Sequence, residues 1–416
     1  MAEVQALQDT VTGKTFAPGE VEYFNPDVGQ VATLDVLYDY DTLRASVDRD
    51  AIAASNTRTM WRYGPLLPIA DSDAIPPLAV GSTPLYHTPR LADDLGIAAA
   101  WVKDDGANPT GSLKDRASAM VVARALETGR SVVSTASTGN AAAALAGVGA
   151  SVNNHDLEIV IFVPETAPEA KIAQLLVYGA RVLLVQGTYD QAFDLCYEVC
   201  QSEGWYCRNT GINPYTTEGK KTAAYEIAEQ MNWQVPDVVV VSVGDGSIIG
   251  GTHKGFVELH KLGWIERVPR LVGVQAVGSS PLVKAWEAGA DAADMQPEEV
   301  HTLADSISAG LPRDRVKAMR AVRETDGAFV AVTDEAIVSA IPAFAQLTGV
   351  FAEPSCAAVY AGAGRAIELG FIRPGERVVF LSTGNGLKDV RRAQQSVSGG
   401  LSVAPDIDSV RNALSL

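Results

Sequence analysis

The chain runs to 416 residues, 47% hydrophobic and 20% charged, with a net charge of −17. That is enough apolar material for a buried core divided over two or three domains. No basic stripe offsets the acidic balance, which argues against a nucleic-acid partner. The apolar runs, such as 97–102 and 238–243, are of strand length and far too short for a membrane span, so no membrane partner is expected.

The first residues, Met1-Ala2-Glu3-Val4-Gln5, lack the basic and apolar regions of a signal peptide. The four cysteines suit a reducing compartment, and a cytoplasmic location is expected. Residues 1–45 hold an unusual spacing: Asp9-x-x-Thr12 precedes Gly13-Lys14, and Asn25-x-x-Val28 precedes Gly29. This is the layout of two zinc knuckles with every cysteine replaced. Val28 has no ligand atom, so the expectation is a degenerate zinc-ribbon-like β segment without metal.

Residues 46–80 read as mixed helix and loop, with irregular Pro-rich stretches at Gly64-Pro65 and Ile75-Pro76-Pro77. A helix is predicted at Pro89–Leu95 and a strand at Ala98–Lys103. The stretch from Asn108-Pro109 to Arg116 is a turn handing over to a helix that begins near Ser112. Lys114 therefore sits in a first helical turn, where unpaired backbone donors lower the pKa of an ammonium. Asp115 and Arg116 pair most simply near the helix end or with the opposite domain.

From Ala117 to Thr210, strands and helices alternate. Strands are predicted at Ser131–Thr135, Glu158–Val163, Arg181–Val185 and Trp205–Asn209; helices at Asn140–Val148, Pro168–Tyr178 and Tyr189–Glu203. Cys196 and Cys200 share a helix face with Cys207 close in sequence, and small buried residues fit better than a metal site. Further on, helices are predicted at Lys220–Gln230 and Gly250–Leu262, and strands at Pro236–Ser242, Arg270–Ala276 and Arg377–Leu381. Thr333 is a helix N-cap. The tail from Gln394 carries no strong signal. The five histidines (His87, His155, His253, His260, His301) show no ligand spacing.

Three loops follow apolar strands: Ser137-Thr138-Gly139-Asn140, Gly244-Asp245-Gly246-Ser247-Ile248, and Ser382-Thr383-Gly384-Asn385-Gly386. With the lysine before them, in this order, they resemble the fold type II (β-family) pyridoxal-phosphate enzymes, most closely the threonine-synthase-like members. Gly81-Ser82-Thr83-Pro84-Leu85, Asn213-Pro214 with Glu218-Gly219, and Phe351-Ala352-Glu353-Pro354 extend the likeness over nearly the whole chain beyond about residue 60.

The resemblance implies an α/β fold of two open twisted sheets flanked by helices, like the tryptophan synthase β chain. A large cofactor-binding domain would comprise 46–116 with 211–416, and a small mobile domain 117–210. It implies pyridoxal 5'-phosphate as cofactor, Lys114 as the Schiff-base lysine and base, and Gly244, Asp245, Gly246, Ser247 and Ile248 as its phosphate cradle. The Asp245 carboxylate should point away from the phosphate. Asn140 should meet the ring 3-hydroxyl, although an N-cap role suits it as well, and Thr383 the pyridine nitrogen, with Ser382 as competitor. Ser137, Thr138 and Ala141 should meet the substrate carboxylate. Glu353 either approaches the ring or caps a helix. A homodimer and an amino-acid substrate are implied.

Two departures touch the substrate. Thr216 stands where such enzymes place a phosphate-binding arginine, and Ala141 follows Asn140 where a hydroxyl is usual. Lys220, Lys221 or Arg116 could replace the cation. The leading reading is O-phospho-L-homoserine plus water giving L-threonine and phosphate. The alternative is β-elimination or β-replacement on a serine/threonine-type, O-phosphoserine or diamino acid substrate. Intact Lys114, Asn140 and Thr383 argue against a non-catalytic regulatory binder.

Overall fold

The computed structural model describes residues 2–153, 157–167 and 169–415; His155 and Pro168 lie outside them. The chain opens with a three-stranded antiparallel ribbon, β1 (Ala6–Asp9), β2 (Thr15–Phe16) and β3 (Leu34–Leu37), in the order β2-β1-β3. The knuckle positions have found another way to close. The Asp9 carboxylate accepts from the backbone N–H groups of Val11 (2.8 Å) and Thr12 (2.7 Å), from Asn25 Nδ2 (2.8 Å) and from the Thr12 hydroxyl. Val28 takes no part beyond its backbone and is exposed.

Next come β4 (Leu85–His87) and β5 (Ala99–Asp104), then a four-stranded parallel sheet of β6 (Val132–Ala136), β7 (Glu158–Pro164), β8 (Arg181–Val185) and β9 (Tyr206–Cys207), ordered β8-β7-β6-β9. The chain then adds β10 (Val238–Ser242), β11 (Arg270–Ala276), β12 (Ala328–Val332) and β13 (Arg377–Ser382) to β4 and β5. That six-stranded sheet is ordered β12-β11-β10-β13-β5-β4 and is parallel except at the β4 edge. Its centre is Val238-Val239-Val240-Val241, all fully buried, as β-branched residues covered on both faces should be.

Seven helices frame the site: α1 (Lys114–Glu127), α2 (Asn140–Ala150), α3 (Tyr189–Glu203), α4 (Tyr215–Lys220), α5 (Thr222–Gln230), α6 (Ser247–Lys261) and α7 (Pro354–Glu368). The single helix expected over Lys220–Gln230 is two, bent at Lys221, whose φ/ψ of −57°, −24° stay near helical. The bend accompanies a close crossing, in which a Cβ on Gly219 would collide with the Arg116 carbonyl oxygen on α1. The helix expected from Gly250 starts three residues earlier, because Gly246 (φ +88°) turns the chain directly into it. The tail forms two exposed helices, Val390–Gln395 and Ile407–Leu414, capped by Asp389 and Asp406. Thr333 caps its helix as expected, accepting from Ala336 N–H.

The Sγ atoms of Cys196, Cys200 and Cys207 lie within 4.8 Å of one another, fully buried between α3 and its sheet. Of the described histidines, His87 stacks against Trp101, His253 meets Glu324 and His301 meets Glu299.

Candidate active site

The three loops Ser137–Asn140, Gly244–Ile248 and Ser382–Gly386 stand at the carboxyl ends of parallel strands. Ser137 follows β6, Gly244 closely follows β10, and Thr383 follows β13. This is where open α/β sheets bind ligands.

Lys114 is the first residue of α1. Its turn is stitched to the loop after β13: Leu113 N–H donates to Thr383 O (2.9 Å), and Asn385 N–H to Gly111 O (2.9 Å). The side chain is partly buried. Desolvation and the like charge of Arg208 pull its pKa down, against the carboxylates of Glu353 and Asp245. A lysine so placed yields a neutral amine more readily than one in water.

The Gly244–Ile248 turn presents a helix N-terminus. Gly246 has no room for a side chain, since a Cβ there would lie 2.8 Å from Ala318 Cβ and 2.9 Å from Asp314 O. The Asp245 carboxylate accepts from the Arg313 backbone N–H (3.4 Å). Burial raises its pKa. The N–H groups in the first turn of α6 have no backbone partner within the helix, and a helix N-terminus of this kind favours negative charge. Beside them, Lys220 Nζ donates to Ser247 Oγ at 2.9 Å.

Asn140 is the first residue of α2, and Gly139 is its N-cap, so the capping reading of Asn140 fails. Its Nδ2 donates to both Glu353 oxygens, at 3.0 and 3.1 Å. Glu353 in turn is the cap residue of α7 without a side-chain capping bond, and it accepts from Ser355 Oγ at 2.6 Å. A cleft of about 180 Å³ runs past Thr138, Asn140, Glu353 and Lys388. Ser137 and Ala141 flank its lining; Ser137 Oγ accepts from Gly139 N–H at 3.1 Å. Thr383 Oγ1 lies 3.0 Å from Cys356 Sγ, while Ser382 Oγ is buried with no partner.

The three cations proposed as substitutes for the missing arginine separate clearly. Arg116 pairs with Asp105 (2.7 Å) and Glu226 (2.6 Å), not with Asp115, which accepts from Thr110 N–H (2.7 Å) instead. Lys221 pairs with Glu218 (2.6 Å) and Glu258 (2.8 Å). Both are spent. Among the described residues Lys220 bonds only the Ser247 hydroxyl, and burial followed by the charges of Lys114 and Arg208 puts its pKa well below the ordinary value. Sequence reasoning missed Arg208. Its signal was position: it directly follows β9, a parallel strand, at the same end as the other motifs.

A buried lysine at a helix N-terminus fits a dianionic group, and a buried arginine, likewise without a carboxylate hydrogen bond among the described residues, calls for an anion of its own. The partly buried Lys114 fits a carbonyl partner for its amine.

A family model described as "Pyridoxal-phosphate dependent enzyme" matches residues 77–384. The chain belongs to this family, and pyridoxal 5'-phosphate is its cofactor. Among curated relatives, the threonine synthase of Methanosarcina acetivorans is 39% identical over 383 residues, 92% of each chain. That of Methanocaldococcus jannaschii is 37% identical over 404 residues, 97% of each. A solved threonine deaminase isoform 2 of Solanum lycopersicum superposes with a TM-score of 0.64 at 22% identity, over 93% of this chain and 99% of that one, a likeness in fold.

Proposed function

We propose that the protein is a threonine synthase. O-phospho-L-homoserine would lose phosphate from Cγ and a proton from Cβ, gain the hydroxyl of water at Cβ and take up a proton at Cγ. The observation that carries this reading is the end-to-end similarity to threonine synthases, 97% of both chains in one case.

Bound pyridoxal phosphate supplies an electron sink for carbanion chemistry. The chain's own residues hold and steer it. Lys114 is the Schiff-base lysine, and its freed amine is the base for the Cα proton. Gly244, Gly246, Ser247 and Ile248 offer backbone N–H groups to the cofactor phosphate, with Asp245 contributing main chain only. Asn140, whose amide now meets Glu353, would donate to the ring oxygen without adding charge. Thr383 sets a neutral hydroxyl at the pyridine nitrogen, which favours elimination and replacement over transamination. The Ser137–Ala141 turn holds the substrate carboxylate at a helix N-terminus. Residues 117–210 would be the small mobile domain, closing on 46–116 and 211–416.

A homodimer agrees with the exposed apolar residues Tyr86, Phe351, Leu387 and Val390. A cytoplasmic location agrees with four free cysteines.

A second reading, β-elimination on a serine- or threonine-type amino acid, is favoured by Thr216, whose hydroxyl donates to Asn213 O (2.9 Å) rather than facing a phosphate. The two are separated by giving the holoenzyme O-phospho-L-homoserine, L-serine and L-threonine. Threonine and inorganic phosphate from the first are expected; ammonia and a keto acid from the others alone would reverse the assignment. In Lys114→Ala, the absorbance band at roughly 410–420 nm should vanish. Its persistence with normal turnover would remove Lys114 from the mechanism.

A further inference from the structure

Arg208 is fully buried and has no ion-pair partner among the described residues. Its Nε donates to Ser118 Oγ (3.2 Å) and its Nη1 to Thr210 Oγ1 (3.0 Å); its Nη2 is buried and has no hydrogen-bond partner among the described residues. A guanidinium in such a place is costly unless an anion joins it. The cost is visible in its pKa, which burial lowers to about 10.

The location is informative. Ser118 lies four residues beyond Lys114 on α1, so it shares that lysine's helix face. The Arg208 charge is felt by both Lys114 and Lys220. Lys220 is tied to Ser247 at the first turn of α6, and so belongs to the cofactor-phosphate end. Arg208 hangs from a different strand, β9, and brings a second cation to the same centre. Its hydroxyl supports hold the fork without neutralising it. Two cations, Lys171 and Lys388, line the cleft itself. Lys171 pairs with Asp305 at 2.5 Å. Lys388 bonds Gln174 Oε1 (3.3 Å) and has the carboxylates of Asp115 and Glu353 as neighbours. Neither carries an uncompensated charge as Arg208 does.

We propose that Arg208 is a specificity residue that receives the phosphate of the substrate through its free Nη2, held in place by Ser118 and Thr210, and so does the work of the arginine absent at position 216. The inference rests on the threonine synthase reading for the identity of the substrate. The anion site itself rests on Arg208 alone.

The test uses holoenzyme of the wild type, Arg208→Gln, Arg208→Lys and Lys388→Gln. Each is titrated with inorganic phosphate, O-phospho-L-homoserine and L-threonine, followed by the cofactor absorbance, and then assayed for kcat and KM. Arg208→Gln should weaken inorganic phosphate and raise KM for the phosphorylated substrate about 10- to 100-fold, the cost of one charge-assisted bond. L-threonine, which carries no phosphate, should bind within about threefold of wild type. Arg208→Lys, which keeps the charge and loses the fork, should show a smaller loss of the same kind and serves if the glutamine variant does not fold. Unchanged phosphate affinity and KM in both arginine variants, or the loss appearing in Lys388→Gln instead, would overturn the proposal. If the wild type binds inorganic phosphate through Arg208 yet leaves O-phospho-L-homoserine unchanged, the anion site stands and the threonine synthase reading falls.

Discussion

Asn140 Nδ2 donates to both oxygens of Glu353, bridging the four-stranded sheet's α2 to the six-stranded sheet's α7. The loop after β13 is built around the same carboxylate: a Cβ on Gly384 would lie 2.5 Å from Glu353 Oε1. The negative charge also faces Lys114 and opposes the lowering of its pKa. One side chain therefore holds the two halves in register and adjusts the amine.

Glu353→Gln keeps the size and shape of the side chain, removes the charge and leaves one of the two acceptors facing Asn140. Without that carboxylate, Lys114 is less favourably protonated, so its pKa falls further. The rate at which cofactor-free protein takes up pyridoxal phosphate, measured against pH, should keep its shape and move its midpoint to lower pH. A midpoint that stays or rises would show that Glu353 acts only through Asn140.

Gly219 is where α4 meets α1. A methyl group there collides with backbone, the Arg116 carbonyl oxygen, rather than with a flexible side-chain end. The neighbouring Arg116 ion pairs are fully buried and cannot loosen cheaply. Gly219→Ala is expected to cost roughly 3 kcal/mol or more, read from denaturant unfolding. A change below about 1 kcal/mol would mean that the crossing is not rigid.

How much of this was legible beforehand differs by element. The β7 and β10 runs could be read as strands because a parallel sheet covered on both faces needs near-continuous apolar character. Lys114, the Gly244–Ile248 turn and Thr383 could be singled out because their order along the chain resembles that of the family, while taken one at a time each is an ordinary helix start or turn. The fate of the cations could not. Lys220, Lys221 and Arg116 look alike in sequence, and their difference comes from Glu226, Glu258 and Asp105, brought near by tertiary folding. Arg208 is one basic residue whose sequence signal is only its place just after β9; its buried Nη2, without a partner among the described residues, is what marks it in the structure. The tail helices were missed because their caps, Asp389 and Asp406, precede short exposed segments with little apolar content.

The ribbon offers a separate test. Asp9 binds three backbone or amide N–H groups at the position of a knuckle ligand. Burial works against its charge, but the Thr12 and Asn25 hydrogen bonds hold its pKa below the ordinary value. Asp9→Ala should leave these donors unsatisfied and cost about 1–3 kcal/mol locally. The ribbon also reaches the core through Tyr23, whose hydroxyl accepts from Cys207 N–H at 2.9 Å. Amide exchange should therefore quicken in β1–β3 and at Cys207. Unaltered exchange there would mean that packing, not Asp9, closes the ribbon.

His253 on α6 supplies the acid limb of stability. Burial, helped by the charges of Arg320 and Lys261, lowers its pKa to about 4 from an ordinary 6.5. Glu324 lies 3.3 Å from Nε2, but its side chain is 56% exposed and compensates little. The unfolded chain takes up this proton near pH 6.5, whereas the folded chain resists until about pH 4. Between those values the unfolded state holds more protons, so stability falls as pH falls, by up to about 1.4 kcal/mol per pH unit and roughly 3 kcal/mol in all. The full contribution is present above pH 6.5, and no further loss comes from this group below about pH 4. His253→Gln should remove that slope, so the difference in unfolding free energy between variant and wild type should change across pH 6.5 to 4 and be flat from pH 7 to 8. A constant difference over the whole range would show that His253 ionises alike in both states.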